Sequence, residues 1–181
     1  MRKLILTLTN IGIAGLLWAQ PQGTLRVEVY DLITGNNLNQ ATVQLVSSDG
    51  SIDRTANTGS GNAVSFGNLP ITLTYTITVS RADYRTRVLP GITIARDTTN
   101  YVNAYLVSTL QTVGSVAGTV RDAMNNQPLA NAYVYASLGN RSVWTLTDAN
   151  GRYQIDELPR ATYGVSADTR GYHSQGVSAS V

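Results

Sequence analysis

Apolar and polar residues alternate with a period of two over most of the chain, and no stretch sustains the 3.6-residue period of an amphipathic helix. Leu25, Val27 and Val29 alternate with Arg26, Glu28 and Tyr30. Leu73, Tyr75, Ile77 and Val79 alternate with Thr72, Thr74, Thr76 and Thr78. Val102, Ala104 and Leu106 share one face of a run from Asn100 to Val107. Successive strand side chains point to opposite sides, so each run reads as a half-buried strand. The fullest example runs from Thr147 to Tyr163. Asp148, Asn150 and Gly151 form a hairpin turn, because Asn and Gly tolerate positive φ and Asp bonds its own backbone. Tyr153 and Ile155 alternate in the strand that follows. Leu158-Pro159 closes it, since proline cannot donate to a ladder, and Tyr163, Val165 and Ala167 resume the pattern. The predicted class is all-β.

The pattern occurs twice. Asp31, Leu38, Ala41, Val43 and Leu45 recur as Asp122, Leu129, Ala132, Val134 and Ala136. Leu69-Pro70 recurs as Leu158-Pro159, Tyr75 as Tyr163 and Tyr84 as Tyr172. A repeat of about ninety residues is far longer than a solenoid unit. It predicts two tandem antiparallel Greek-key β-sandwiches, at residues 20–110 and 111–181. The copies differ at their ends. After Tyr84 the first continues through Ile92 and Ile94 to the run at Asn100–Val107. After Tyr172 the second has only Gly176 to Val181, which matches Gly91 to Arg96. The second sandwich is therefore expected to lack its last strand. Either the sequence is part of a longer protein, or a neighbouring subunit supplies the strand. A head-to-tail interface of the latter kind builds an open filament.

Gly118 to Val134 (G-T-V-R-D-A-M-N-N-Q-P-L-A-N-A-Y-V), followed by T-D-A-N-G-R-Y-Q-I-D-E-L-P from Thr147, resembles the carboxypeptidase regulatory-like (transthyretin-like) domain. The resemblance is strong over 114–172 and weaker over 23–107, where Asn57-Thr58-Gly59-Ser60-Gly61 replaces the T-D-x-N-G turn. Arg160-Ala161 also departs from the small or proline-glycine pair usual after the Leu-Pro corner. The resemblance implies a seven-stranded antiparallel sandwich serving as an accessory or structural module of a secreted or surface protein.

Residues 1–19 have the form of a secretory leader: Arg2-Lys3, an apolar run from Leu4 to Leu17, then Trp18-Ala19. The run is too short for a stable membrane span. An alternative reading is an amphipathic donor strand, because Leu4, Leu6 and Leu8 alternate with Ile5, Thr7 and Thr9. The expected location is extracellular or on the cell surface.

The net charge of +2 comes from the leader: setting aside Arg2 and Lys3 leaves as many basic residues as the 11 acidic ones. No basic excess then marks a nucleic-acid partner. Lys3 is the only lysine, so a chain cut after Ala19 has none for isopeptide crosslinks. The absence of cysteine excludes disulfides and thiolate metal sites. His173 is the single histidine, expected on a surface loop. Asp148 and Asn150 lack the bidentate acid of an EF-type calcium loop, and Asp156-Glu157 reads as a solvated corner. No catalytic residue, metal site or cofactor is predicted, and the lack of a nucleophile–base pair or metal-ligand cluster in the sequence argues against an enzyme.

The remaining candidates concern surfaces. Tyr133 and Tyr135 should face outward if Ala132, Val134 and Ala136 face in, offering a protein interface or a sugar-stacking platform. Trp144, in register with Leu146, is expected in the core. Thr72, Thr74, Thr76 and Thr78 are candidate O-glycosylation positions, and Asn140-Arg141-Ser142 is an N-glycosylation sequon. The expected function is that of a secreted filament subunit polymerising with itself. The alternative is a spacer or binding module directed at surface glycans or proteins.

Overall fold

The computed structural model describes residues 21–181, all of them in strands, turns and connecting loops. The first half contains β1 (Gln22–Asp31), β2 (Thr42–Ser47), β3 (Asp53–Asn57), β4 (Ala63–Pro70), β5 (Thr74–Ser80), β6 (Arg87–Thr93) and β7 (Thr99–Leu106). These form one sheet of order β4-β1-β7 and a facing sheet of order β3-β2-β5-β6. The second half contains β8 (Val113–Thr119), β9 (Tyr133–Leu138), β10 (Arg141–Leu146), β11 (Arg152–Pro159), β12 (Thr162–Asp168) and β13 (Gln175–Ser180). Its sheets run β11-β8 and β10-β9-β12-β13, which repeats the first arrangement, except that among the described residues β8 has no partner equivalent to β7. The chain is all-β, arranged as tandem sandwiches.

The alternating positions build the cores. Leu25, Val27 and Val29 of β1 meet Val43 and Leu45 of β2 and Tyr75, Ile77 and Val79 of β5, all at most 1% exposed. Val134, Ala136, Ile155, Tyr163 and Val165 do the same in the second half. Every strand pair is antiparallel except β1–β7, which runs parallel from Thr24↔Thr99 to Asp31↔Leu106. Alternation carries no signal of direction, because side chains alternate in both kinds of ladder.

The repeat extends to hydrogen bonds. The Tyr75 hydroxyl donates to the Pro70 carbonyl at 2.9 Å, and Tyr163 to Pro159 at 3.0 Å. The Thr58 hydroxyl accepts the Ala41 amide at 3.0 Å, and Thr147 that of Ala132 at 2.9 Å. Tyr84 donates to Asp31 at 3.1 Å, and Tyr172 to Asp122 at 3.2 Å. Before each Leu-Pro corner the register slips, with Asn68 and Glu157 at φ of 55° and 59°. An extra residue in a bulge takes up that left-handed conformation and bends the strand.

The turn at Asp148–Gly151 forms as expected, with Asp148 Oδ1 accepting the amides of Asn150 and Arg152 at 2.8 Å each. It is not a hairpin, however. It carries the chain from β10 in one sheet to β11 in the other. The Asp148 oxygen is thereby committed to backbone amides, as in an Asx turn.

The two sandwiches pack against each other. Leu32 and Val107 belong to the second core although they flank strands of the first. Arg87, 8% exposed, donates to the carbonyls of Asp156 and Glu157 at 3.2 and 3.5 Å, and Arg85 pairs with Glu157 at 3.7 Å. The backbone of the Asp156-Glu157 corner is thus a docking point on the first sandwich, while the Asp156 side chain stays exposed as expected and that of Glu157 is partly so. Burial pulls the Arg87 guanidinium below its usual range, while Glu157 and Asp156 oppose the shift. Charge-assisted bonds to the two carbonyls offset part of the cost of burying that guanidinium.

Candidate functional site

Two places stand out, and the first is an incomplete strand position. β1 is paired on both sides, by β4 and β7, whereas β8 pairs only with β11 among the described residues. The exposed backbone edge is matched by exposed apolar surface. Val177 of β13 lies opposite Val165 of β12, on the inner face, yet is 68% exposed. Its counterpart by register is Leu89, opposite Ile77 and 1% exposed, and not Ile92, where the sequence match of Gly176–Val181 to Gly91–Arg96 puts it; Ile92 instead corresponds to Ala179. Val116 of β8 is buried in the second core, and Ala179 of β13 packs against it. Tyr153 partly fills the floor: its ring lies over Gly118, and a Cβ on that glycine would come within 2.9 Å of ring carbons. Val181 reaches Gly114 at one end, its amide donating to the Ala161 carbonyl at 3.0 Å. An unpaired edge beside an uncovered core face is what a further strand would satisfy.

The second place is a groove between the sandwiches, about 450 Å³ in volume. Val143 faces the core and is fully buried, so Trp144 and Leu146 face outward from the second sandwich, beside Tyr135 and Tyr133 on β9. Trp144 is therefore not a core residue of its own domain. It packs against the first sandwich, where its indole donates to the Pro90 carbonyl at 3.2 Å. The Tyr133 hydroxyl donates to the Gly91 carbonyl. Tyr133 and Tyr135 stack at 6.2 Å between ring centroids, and Tyr135 meets Trp144 at 6.4 Å. Burial raises both tyrosine pKa values, so the phenols stay protonated donors at neutral pH. Across the groove Tyr105 stacks on Tyr30 at 5.7 Å, and Tyr101 is 69% exposed. The signal for this array was the outward register of Tyr133 and Tyr135, whereas its first-domain half, on β7, carried none.

Thr74 is exposed on β5, and Thr76 and Thr78 lie half-buried on the same outer face. Thr72 falls in the preceding turn rather than in the strand. Asn140 is exposed in the β9–β10 turn, at the groove's rim, and His173 is exposed in the loop before β13. Leu4, Leu6 and Leu8, and the leader as a whole, lie outside the described residues. Among the described residues no group of three or more His, Cys, Asp or Glu is placed to hold a metal ion. None of their helices is long and apolar enough to cross a membrane.

The family model of the carboxypeptidase regulatory-like domain matches residues 115–181, so the C-terminal region is a domain of that kind. No curated protein matches the sequence. Among solved structures, a streptococcal ancillary pilin aligns at 16% identity over 88% of this chain and 58% of its own, with a TM-score of 0.35. The Bacillus anthracis TIE protein aligns at 18% identity over 87% of this chain and 30% of its own, with a TM-score of 0.40. The shaft pilin SpaA from Lactobacillus rhamnosus GG aligns at 14% identity over 88% and 93%, with a TM-score of 0.34. The chain thus spans little more than half of the first and under a third of the second. Likenesses this distant say nothing of function.

Proposed function

We propose that the protein is a non-enzymatic structural subunit of an extracellular or cell-surface filament. Subunits join head to tail when a strand of one fills the open position between β8 and β13 of the next. The single observation that carries this reading is the contrast between Leu89, sealed in its core, and Val177, left open at the equivalent place. A strand entering there satisfies the free edge of β8 and covers Val177 together. By analogy with β7 on β1, it runs parallel to β8. The proposed donor is the N-terminal segment, whose Leu4, Leu6 and Leu8 offer the same every-second-residue spacing as Val102, Ala104 and Leu106. A donor–acceptor pair of this kind is heterologous, so it propagates into a fibre rather than closing as a dimer.

The chain has no cysteine, which permits a direct test. With Leu6→Cys and Val177→Cys combined, oxidation should give a ladder of crosslinked multimers on a denaturing gel, and electron microscopy should show fibres. A crosslink within single chains would mean that the position is closed by the subunit's own segment. An intact mass beginning at Gln20 would remove the leader as donor. A monodisperse monomer without crosslinks would leave a spacer module and end the filament reading.

A further inference from the structure

The groove between the sandwiches has a chemistry that strand exchange does not use. None of its lining residues carries a charge, and Arg26 and Glu28, which stand beside Tyr101 and Asn103 on β1, are paired with each other at 2.9 Å. Its walls are aromatic, with Tyr135 and Trp144 on one side and Tyr101 and Tyr105 on the other. The Trp144 indole and the Tyr133 hydroxyl are spent on the backbone of β6. That fixes these two rings in place. The hydroxyls of Tyr101, Tyr105 and Tyr135 and the side-chain amides of Asn103 and Asn140 make no hydrogen bond among the described residues. A volume of about 450 Å³ falls within the range of small-ligand sites, which pair apolar walls with a few polar groups.

We infer that this groove binds a neutral oligosaccharide. A pyranose ring presents C–H bonds on its faces and hydroxyls around its edge. Rigid aromatic rings match the faces, and tyrosine supplies that area at low entropic cost. Carboxamides match the edges, because each offers both donors and an acceptor to a hydroxyl. The lining offers no charge, and the flanking Arg26 is already paired with Glu28, so a uronic acid, a sulfate or a charged peptide finds no free counter-ion, and desolvating those groups unpaired is costly. The ligand lies across both sandwiches, so its affinity depends on their packed arrangement. The inference does not depend on filament assembly, since the groove is complete within one chain.

Trp144 is the sole tryptophan beyond Trp18, so its fluorescence reports on the groove. The full-length chain, produced in a host without N-glycosylation and purified with its leader removed or retained, is titrated with neutral hexasaccharides of glucose, xylose, mannose and N-acetylglucosamine. At least one should shift or quench Trp144 emission saturably. Tyr101→Ala and Asn103→Ala, both at exposed positions of β7, should fold normally by circular dichroism and weaken that binding by about tenfold or more, which corresponds to about 1.4 kcal/mol. Silence across the panel would overturn the inference. So would unchanged binding by both variants, tighter binding of a polyuronate of equal length, or saturable binding of a proline-rich peptide in place of every sugar.

Discussion

The first and second sandwiches share strand order, bulges and buried hydroxyl bonds, yet they treat one core position in opposite ways. Leu89 is enclosed because β7 lies beside β1 and roofs the space between the sheets. Val177 occupies the same register against β12 and is mostly open. The strands facing that space have diverged to suit. β1 presents Leu25, Val27 and Val29, whereas β8 presents Val116, Gly118 and then Val120, with the Tyr153 ring laid over the glycine. A repeat that keeps its Leu-Pro corners and buried hydroxyl bonds but loosens one wall marks that wall as the place where the copies' roles part.

The largest expected effect separates those two residues directly. Leu89→Asp buries a carboxylate with no partner and should cost about 4 kcal/mol or more in denaturant unfolding. Val177→Asp should stay within about 0.5 kcal/mol of the parent, because the new carboxylate meets water. The same Val177→Asp protein should no longer form fibres. Equal destabilisation by both substitutions would mean that Val177 is covered after all, and the contrast would collapse.

A smaller effect tests what the sandwiches have in common. Tyr75→Phe and Tyr163→Phe each remove one hydroxyl bond to a Leu-Pro corner and leave a carbonyl short of a donor. Each should cost about 1 kcal/mol, and the two costs should agree closely. A large cost at one corner and none at the other would show that the duplicated bonds no longer do the same work. The measurement is equilibrium unfolding of the single variants, with the double variant checking that distant sites add.

Much of this was readable from spacing. The matched pairs Leu69/Leu158 and Tyr75/Tyr163 led to the two sandwiches, and the unmatched Asn100–Val107 led to the strand that β8 lacks. The misjudged residues fail for a shared reason. Trp144 and Leu146 are apolar and in register, which a period-two rule assigns to the core, but the outer face of β10 is itself covered by the first sandwich. Alternation tells which residues share a face and not what lies against it. Asp156-Glu157 looked solvated because charge usually marks the surface. The bulge turns Glu157 to positive φ, and Arg87 reaches the carbonyls of Asp156 and Glu157 from sixty-nine and seventy positions away in the chain. The groove was half legible for the same reason: Tyr133 and Tyr135 announced an outward face, while Tyr101 and Tyr105 joined them only through packing of one sandwich on the other.

The smallest predicted effect lies in the hairpins, where the first sandwich uses a longer loop closed by Asp49 and the second a two-residue turn, Gly139-Asn140. Between β2 and β3, Asp49 accepts the Ser47 hydroxyl at 2.7 Å, the Ser51 amide at 3.0 Å and the Ser51 hydroxyl at 2.7 Å. Those bonds, the Ser47 hydroxyl foremost, hold its pKa down to about 2. The corresponding β9–β10 turn has Gly139 at a φ of 63° and Asn140, and nothing that titrates in acid. A carboxylate whose folded pKa is depressed stabilises the fold fully above its unfolded value, near 3.8, and the contribution fades as pH falls toward about 2. Asp49→Ala should therefore be less stable than the parent at neutral pH, with the difference shrinking between about pH 4 and about pH 2. Asn140→Ala should show a difference that does not change over that window. A pH-independent Asp49→Ala effect would mean that the turn is held by its backbone alone, leaving the two hairpins alike in mechanism although they differ in length.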